Sequence, residues 1–381
     1  MKVKIHTLFQ YLLDTTHAEP EAFIGFSLAE SPRLGDFLGD LDPEMSLDWN
    51  LQSFRGLPSL RQRVIDQAGL AGICTADNVL ITAGAAEANY LAFMQLVEAG
   101  DEIVTETPGW PQIEVLAKAR QATVKLVTRD EAQGWALPMD RLEDLVTDKT
   151  RLIFLTNPNN PTGKLLSTAE LHQITQIADK VGAWLIVDEV YAGLEWTADR
   201  APSVAGIYER GITTGSVSKA LGLQGLRTGW LICRDNNMVM DAVILRENSS
   251  EIMNVLGETI AEVALRPDRL SQALAKARRV SISTLEHLGA YIASEPKLSW
   301  HRPEAGLIGL ARLAEGIDSD TFAKRLLADP YRTFLLPGSA YGLSNHIRMG
   351  VGGGASANLD VGLTRMSQLL ADWGRPASVS G

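Results

Sequence analysis

Short apolar runs alternate along the chain with stretches in which apolar residues recur every three or four positions. The rhythm is clear from about residue 56. Gly56-Leu57-Pro58 reads as a turn, and Leu60, Val64 and Ile65 then fall on one helical face. Val79-Leu80-Ile81 reads as a strand, followed by a helix with Ala88, Leu91, Ala92 and Leu96 on one side. Ile103-Val104 and Val124–Val127 read as strands flanking a helix near Gln112–Arg120, and Leu152–Leu155 has the unbroken apolar character of a strand covered on both faces. Ser167-Thr168-Ala169-Glu170 has capping-box spacing, and the helix it opens carries Leu171, Ile174, Ile177 and Ala178 and stops at Gly182. Trp184–Val187, Ile212–Thr214 and Trp230–Cys233 add three strands.

After about residue 235 helices dominate, including a long one from Asp268 to about Ala293. Strands are expected near Leu307–Leu310 and Phe334–Leu336, and a final helix near Leu359–Trp373. Residues 1–44 carry no sustained period beyond a short helix near Phe9–Leu13. Strands alternating with helices imply an α/β fold with a mostly parallel sheet. The pattern predicts a large α/β domain over residues 45–265. Residues 1–44 and 266–381 form a smaller, discontinuous α+β domain whose N-terminal arm packs on the C-terminal part.

Composition narrows the function more than the fold. The 381 residues are 45% hydrophobic and 21% charged, enough to bury a large core without disulfide or structural metal. Cys74 and Cys233 are the two cysteines, too few for a disulfide framework or a cysteine-based zinc site. The formal charge of −11 argues against nucleic acid or an anionic membrane as partner. The N-terminus is a poor signal-peptide match, and no apolar run approaches the ~18 residues of a membrane span, so the cytoplasm is the expected location.

Four segments at predicted strand ends can carry chemistry. Ser216-Val217-Ser218-Lys219, followed by Gly222, Gly225, Arg227 and Gly229, offers an amine beside phosphate donors. The same residues match Ser-x-x-Lys of serine β-lactamases, but the Ser-Asp-Asn and Lys-Thr-Gly triplets that reading requires do not occur. Asn157-Pro158-Asn159-Asn160-Pro161-Thr162-Gly163 is a polar turn where α/β folds bind ligands. Val187-Asp188-Glu189-Val190-Tyr191 ends an apolar strand on a carboxylate that needs a partner. Thr82-Ala83-Gly84-Ala85-Ala86 opens a helix with small residues, leaving N–H groups free for an anion. Together they supply an imine partner, a pyridinium partner and a phosphate site, which is what pyridoxal 5′-phosphate needs.

The motifs NPNNPTG, VDEVY and SVSKALGLQGLRTGW resemble those of class I and II aminotransferases of the pyridoxal-phosphate fold type I superfamily. The resemblance spans about residues 50–350. It implies a three-layer α/β/α large domain, a small-molecule L-amino acid substrate and a homodimer. It also implies transamination through external aldimine and quinonoid intermediates. By resemblance, Lys219 bears the cofactor, Asp188 pairs with its ring nitrogen, and Tyr191 and Asn160 contact its ring oxygen. Gly84, Ala85, Ala86, Ser216, Ser218 and Arg227 serve the phosphate, and Trp110 stacks on the ring. Pro337-Gly338-Ser339-Ala340-Tyr341-Gly342 and His346-Ile347-Arg348 resemble the family's C-terminal segment, nominating Arg348, with Asn160, for the substrate carboxylate.

Two departures stand out. The tyrosine that reaches the partner subunit's phosphate in many members is missing near Leu51. The arm carries His6 and His17 with the acids Glu19, Glu21 and Glu30, which form a solvated acidic face or could suit a cationic substrate. A looser resemblance to capreomycidine synthase and enduracididine-type cyclases therefore keeps elimination and cyclisation of a hydroxyarginine as an alternative. Transcription regulators with an aminotransferase-like sensor domain need a DNA-binding module before it, and residues 1–44 are too short for one.

Overall fold

The apolar runs become strands because helices cover both of their faces. Leu152 and Phe154 pack with the helices Ala85–Leu96 and Asn236–Glu247 on one side of the sheet. Ile153 and Leu155 pack with the helices Met139–Leu145, Thr168–Val181 and Val204–Ile207 on the other. Alternation within one apolar run thus serves two cores, giving the three-layer arrangement. The computed structural model describes residues 2–48, 53–196, 199–353 and 358–373.

In chain order the strands are β1 (Ala22–Phe23), β2 (Val79–Thr82), β3 (Glu102–Thr107), β4 (Thr123–Thr128), β5 (Thr150–Thr156), β6 (Trp184–Asp188) and β7 (Gly211–Ser216). They continue with β8 (Gly229–Cys233), β9 (Leu298–Trp300), β10 (Ile308–Leu313), β11 (Thr333–Phe334), β12 (Leu336–Pro337) and β13 (His346–Gly350). Seven of them form the central sheet, in the order β2-β8-β7-β6-β5-β3-β4. It is parallel except for β8, which runs antiparallel to both of its neighbours. A second, antiparallel sheet has the order β12-β13-β10-β9. The helices Pro58–Gln67 and Val255–Ala264 close the β2/β8 end of the large sheet over Ile81, Trp230 and Ile232.

Two expectations change. Phe334–Leu336 is not one strand. β11 pairs in parallel with β1, whereas β12 joins the antiparallel sheet through β13. Between them the carbonyl of Leu335 accepts the Tyr11 hydroxyl at 3.1 Å. Two residues per partner are too few to carry a readable period. The strand expected at Leu307–Leu310 runs instead from Ile308 to Leu313, because Ala311 and Leu313 remain buried opposite β9.

The arm does pack on the C-terminal part. Leu8, Tyr11 and Ile24 share a core with Leu288, Phe322 and Met366. Among the described residues no helix is long and apolar enough to cross a membrane.

One buried ion pair fixes the loop after β5. Arg129 and Glu106 are both almost fully enclosed, with Nη2 and Nε of Arg129 at 2.7 and 2.8 Å from Glu106 Oε2. The other carboxylate oxygen accepts from the backbone N–H and the hydroxyl of Thr156, each at 2.8 Å. Thr156 Oγ1 accepts in turn from the Asn160 N–H at 3.2 Å. Breaking such a pair leaves an uncompensated buried charge. Arg129→Met is therefore expected to lower unfolding free energy by about 3–5 kcal/mol. Adding Glu106→Gln should recover most of that loss, and denaturant unfolding of the two variants measures both.

Candidate active site

The parallel register places Thr156, Asp188 and Thr214 side by side at the carboxyl ends of β5, β6 and β7. Paired residues on neighbouring strands project from the same face. Asp188 is 5% exposed, so its charge must be held by hydrogen bonds. Asn89, fully buried in the helix Ala85–Leu96, donates to Asp188 Oδ2 at 2.8 Å and accepts from the Thr214 hydroxyl at 2.7 Å. The Val190 N–H donates to Oδ1 at 3.1 Å. Burial raises the Asp188 carboxyl to about 6, against the pull of Asn89, Val190 and the Lys219 charge. It is therefore mainly ionised at neutral pH.

Lys219 follows β7, and its Nζ donates to Ser27 Oγ of the arm at 3.2 Å. Burial first, then the Arg348 and Arg227 charges, bring its amine down to about 8, with Asp188 opposing. Tyr191, its ring centroid 6.0 Å from Nζ, is enclosed, and burial pushes its hydroxyl up to about 12.

At one end of the cavity stands an anion cradle. The chain turns after β2 at Gly84, whose φ of 83° few side chains tolerate, and enters the helix Ala85–Leu96. The first-turn N–H groups of Ala85 and Ala86 have no helical acceptor and sit at the positive end of the helix. Arg227 folds against this turn, Nη2 donating to Ala83 O at 3.2 Å. A Cβ on Gly229 would lie 2.5 Å from the Gly84 carbonyl carbon, so glycine there lets β8 approach the turn. Ser216 and Ser218 complete the cradle, and Ser218 Oγ is buried without a hydrogen-bond partner.

Arg348, on β13, stands at the other end. It is 5% exposed and donates to Tyr341 Oη at 2.7 Å, Gly25 O at 2.9 Å and Asn160 Oδ1 at 3.4 Å. Its Nε is buried without a partner, and among the described residues it makes no ion pair. A ligand carboxylate would satisfy both deficits. Trp110 forms part of the wall. Its Nε1 donates to Gln112 Oε1 at 3.2 Å, and Gln112 Nε2 donates to Ala86 O at 2.6 Å.

All the site residues expected from the sequence except Gly84 line one cavity of about 310 Å³; Gly84 shapes the turn beside it. A larger cavity, about 680 Å³, lies between residues 29–37 and the helix Pro267–Ser294, and none of those residues lines it. Asn89, Thr214, Gln112 and Ser27 escaped the sequence reading. Asn89 alone gave a signal, a polar residue on the apolar face of its helix. The position near Leu51 lies outside the described residues. The acids of the arm do not reach the cavity: Glu21 pairs with Arg332 and Arg365, and Glu30 with Lys276.

Comparison with known proteins gives this geometry a family. The model of aminotransferase classes I and II matches residues 45–366. The chain belongs to that family. An aspartate aminotransferase of Musicola paradisiaca is 29% identical over 301 residues, covering 75% of this chain and 72% of its own. Capreomycidine synthase of Streptomyces vinaceus is 28% identical over 305 residues, 78% and 76% of the two chains. A solved PLP-dependent aminotransferase from Streptococcus suis superposes with a TM-score of 0.89 at 25% identity, covering 99% of this chain and all (100%) of that one. This chain is thus a PLP-dependent aminotransferase-like enzyme, and membership implies pyridoxal phosphate. The unpartnered Ser218 hydroxyl, the free helix N-terminus and Arg227 form a donor set suited to its phosphate.

Asn89→Ala is expected to raise the Asp188 pKa above about 6, because the lost hydrogen bond favours the ionised form. Infrared titration of the buried carboxyl in cofactor-free protein measures the shift.

Proposed function

We propose that this enzyme is an aminotransferase acting on an L-amino acid, with Lys219 as covalent anchor and proton carrier. The observation that carries the reading is Lys219 and Asp188 opening into one cavity between the anion cradle and the unpaired Arg348. When bound, pyridoxal phosphate supplies the electron sink that acidifies the substrate Cα–H. Lys219 would hold it, Asp188 would face its ring nitrogen, and Tyr191 and Asn160 its ring oxygen. Trp110 would cover the ring, and Ala85, Ala86, Ser216, Ser218 and Arg227 would take the phosphate.

Arg348 would receive the substrate carboxylate on its free Nε edge. With the carboxylate held there, Cα is presented to Lys219. Its amine, brought down to about 8, has a neutral fraction near physiological pH able to take the Cα proton onto Nζ. Ser27, bonded to that nitrogen, keeps it oriented.

We also assign residues 45–265 to a cofactor-binding domain and 1–44 with 266–381 to a smaller one; their separate sheets support the division. Aminotransferases of this family are commonly dimeric, and we infer a homodimer here. Similarity to capreomycidine synthase supports elimination and cyclisation as the second reading.

Purified protein is expected to lose borohydride-trappable cofactor on Lys219→Ala; label retained at another lysine would sink the assignment. Borohydride-trapped cofactor uptake should rise with pH and level off above about 8, not continue toward the ordinary lysine value of 10.5. Incubation with single amino acids and no keto acid separates the two readings. One half-turnover ending in pyridoxamine phosphate supports transamination. Repeated turnover with loss of water from a hydroxyarginine supports cyclisation.

A further inference from the structure

We propose that Glu131 is a positioning residue for Arg348: it holds the strand that carries this arginine at a fixed distance from Lys219. This rests on the aminotransferase reading above, since it takes the substrate carboxylate to lie on Arg348.

Side chains alternate along a strand, and directly paired residues share a face. On β13, His346 and Arg348 therefore point the same way, and β10 sets Arg312 opposite His346 and Leu310 opposite Arg348. Glu131 meets this face from outside the small sheet. It opens the short 3-10 turn Glu131–Gln133 after β4, where Asp130 accepts from the Ala132 N–H at 2.9 Å. Its Oε2 lies 3.1 Å from His346 Nε2 and also takes the Arg312 guanidinium. Burial keeps the imidazole below its ordinary value, against the pull of Glu131. At neutral pH the ring is therefore uncharged and gives its single N–H to the carboxylate.

The turn is built to hold Glu131 still. Trp135 has a φ of 62°, in the left-handed region that bulky side chains rarely enter. Such backbone persists only where its surroundings over-determine it. The Trp135 carbonyl accepts from Arg129 Nη1 at 2.7 Å, and its indole meets the His346 ring edge-on, centroids 5.7 Å apart. Arg129 is the same residue whose pair with Glu106 fixes Thr156 and, through it, the Asn160 N–H. Asn160 Oδ1 in turn accepts from Arg348 Nη1 at 3.4 Å. Residues 129–131 thus reach the strand of Arg348 directly and its guanidinium through the Asn160 loop, and the direct contact is the closer.

Lys219 follows β7 of the large sheet and Arg348 lies on β13 of the small one, so the span between them depends on how β13 is held. A misplacement of about 1 Å is enough to spoil a productive geometry. Glu131 and His346 are 8% and 3% exposed in the single chain, so their contact does not depend on what a partner subunit covers.

The test uses the full chain freed of cofactor and measures binding by calorimetry. The probes are pyridoxal phosphate and the reduced phosphopyridoxyl adducts of alanine and ethylamine, which differ by the carboxylate alone. Glu131→Ala is expected to cut the preference for the alanine adduct about tenfold, with the ethylamine adduct and pyridoxal phosphate bound as before. Glu131→Gln, which can still accept from the imidazole, should restore most of the preference. His346→Phe keeps a ring beside Trp135 but offers no N–H, and should show the same loss even where the alanine variant does not fold. A preference unchanged in whichever of these two variants folds overturns the proposal. An equal loss for all three probes does so too, since a merely structural role would weaken them together. If the wild type itself prefers neither adduct, the carboxylate does not lie on Arg348 and the aminotransferase reading falls instead.

Discussion

A carboxylate buried in the wall of the cavity is the constraint on which the site depends. Asp188 cannot keep its charge alone, and the structure surrounds it with donors that themselves need support. Asn89 must be buried to reach it, so its own oxygen takes the Thr214 hydroxyl. Gln112 then joins Asn89, Trp110 and the Ala86 carbonyl, linking the Trp110 wall to the first turn of the helix Ala85–Leu96. The parallel register of β5, β6 and β7 makes the arrangement possible, because it sets Thr156, Asp188 and Thr214 level.

Charge follows the same logic across the cavity. Arg348, Lys219 and Arg227 stand in one pocket of a protein with formal charge −11. Burial of Lys219, with repulsion from the two arginines, brings its amine down to about 8 against the pull of Asp188. Net charge describes how the molecule meets polymers and membranes, and local geometry decides what it holds.

Most of the fold was legible because unbroken apolar runs and period 3.6 leave clear traces, as in Leu152–Leu155 and in the capped helix Thr168–Val181. The motifs located Lys219, Asp188 and Arg348 because each sits at a strand end or on a strand of recognisable character. Asn89 was harder, since a polar residue on the apolar face of a helix shows that it is buried but not which group it bonds. Ser27 lay in an arm without period. The arm's acids left two readings open, because a sequence does not show which acids are already paired: Glu21 finds Arg332 and Arg365, at the far end of the chain.

The switch at Leu335 has a wider meaning. Strand β11 holds the arm through β1, β12 joins β13 beside Arg348, and the carbonyl between them anchors Tyr11. The arm and Arg348 therefore share one scaffold, while Lys219 and Asp188 stand at the ends of strands of the large sheet. The cavity is a seam between two surfaces more than a hollow in one. How its two sides meet is written in the short stretch of chain that bridges the seam, Gly25 bonded to Arg348 and Ser27 to Lys219.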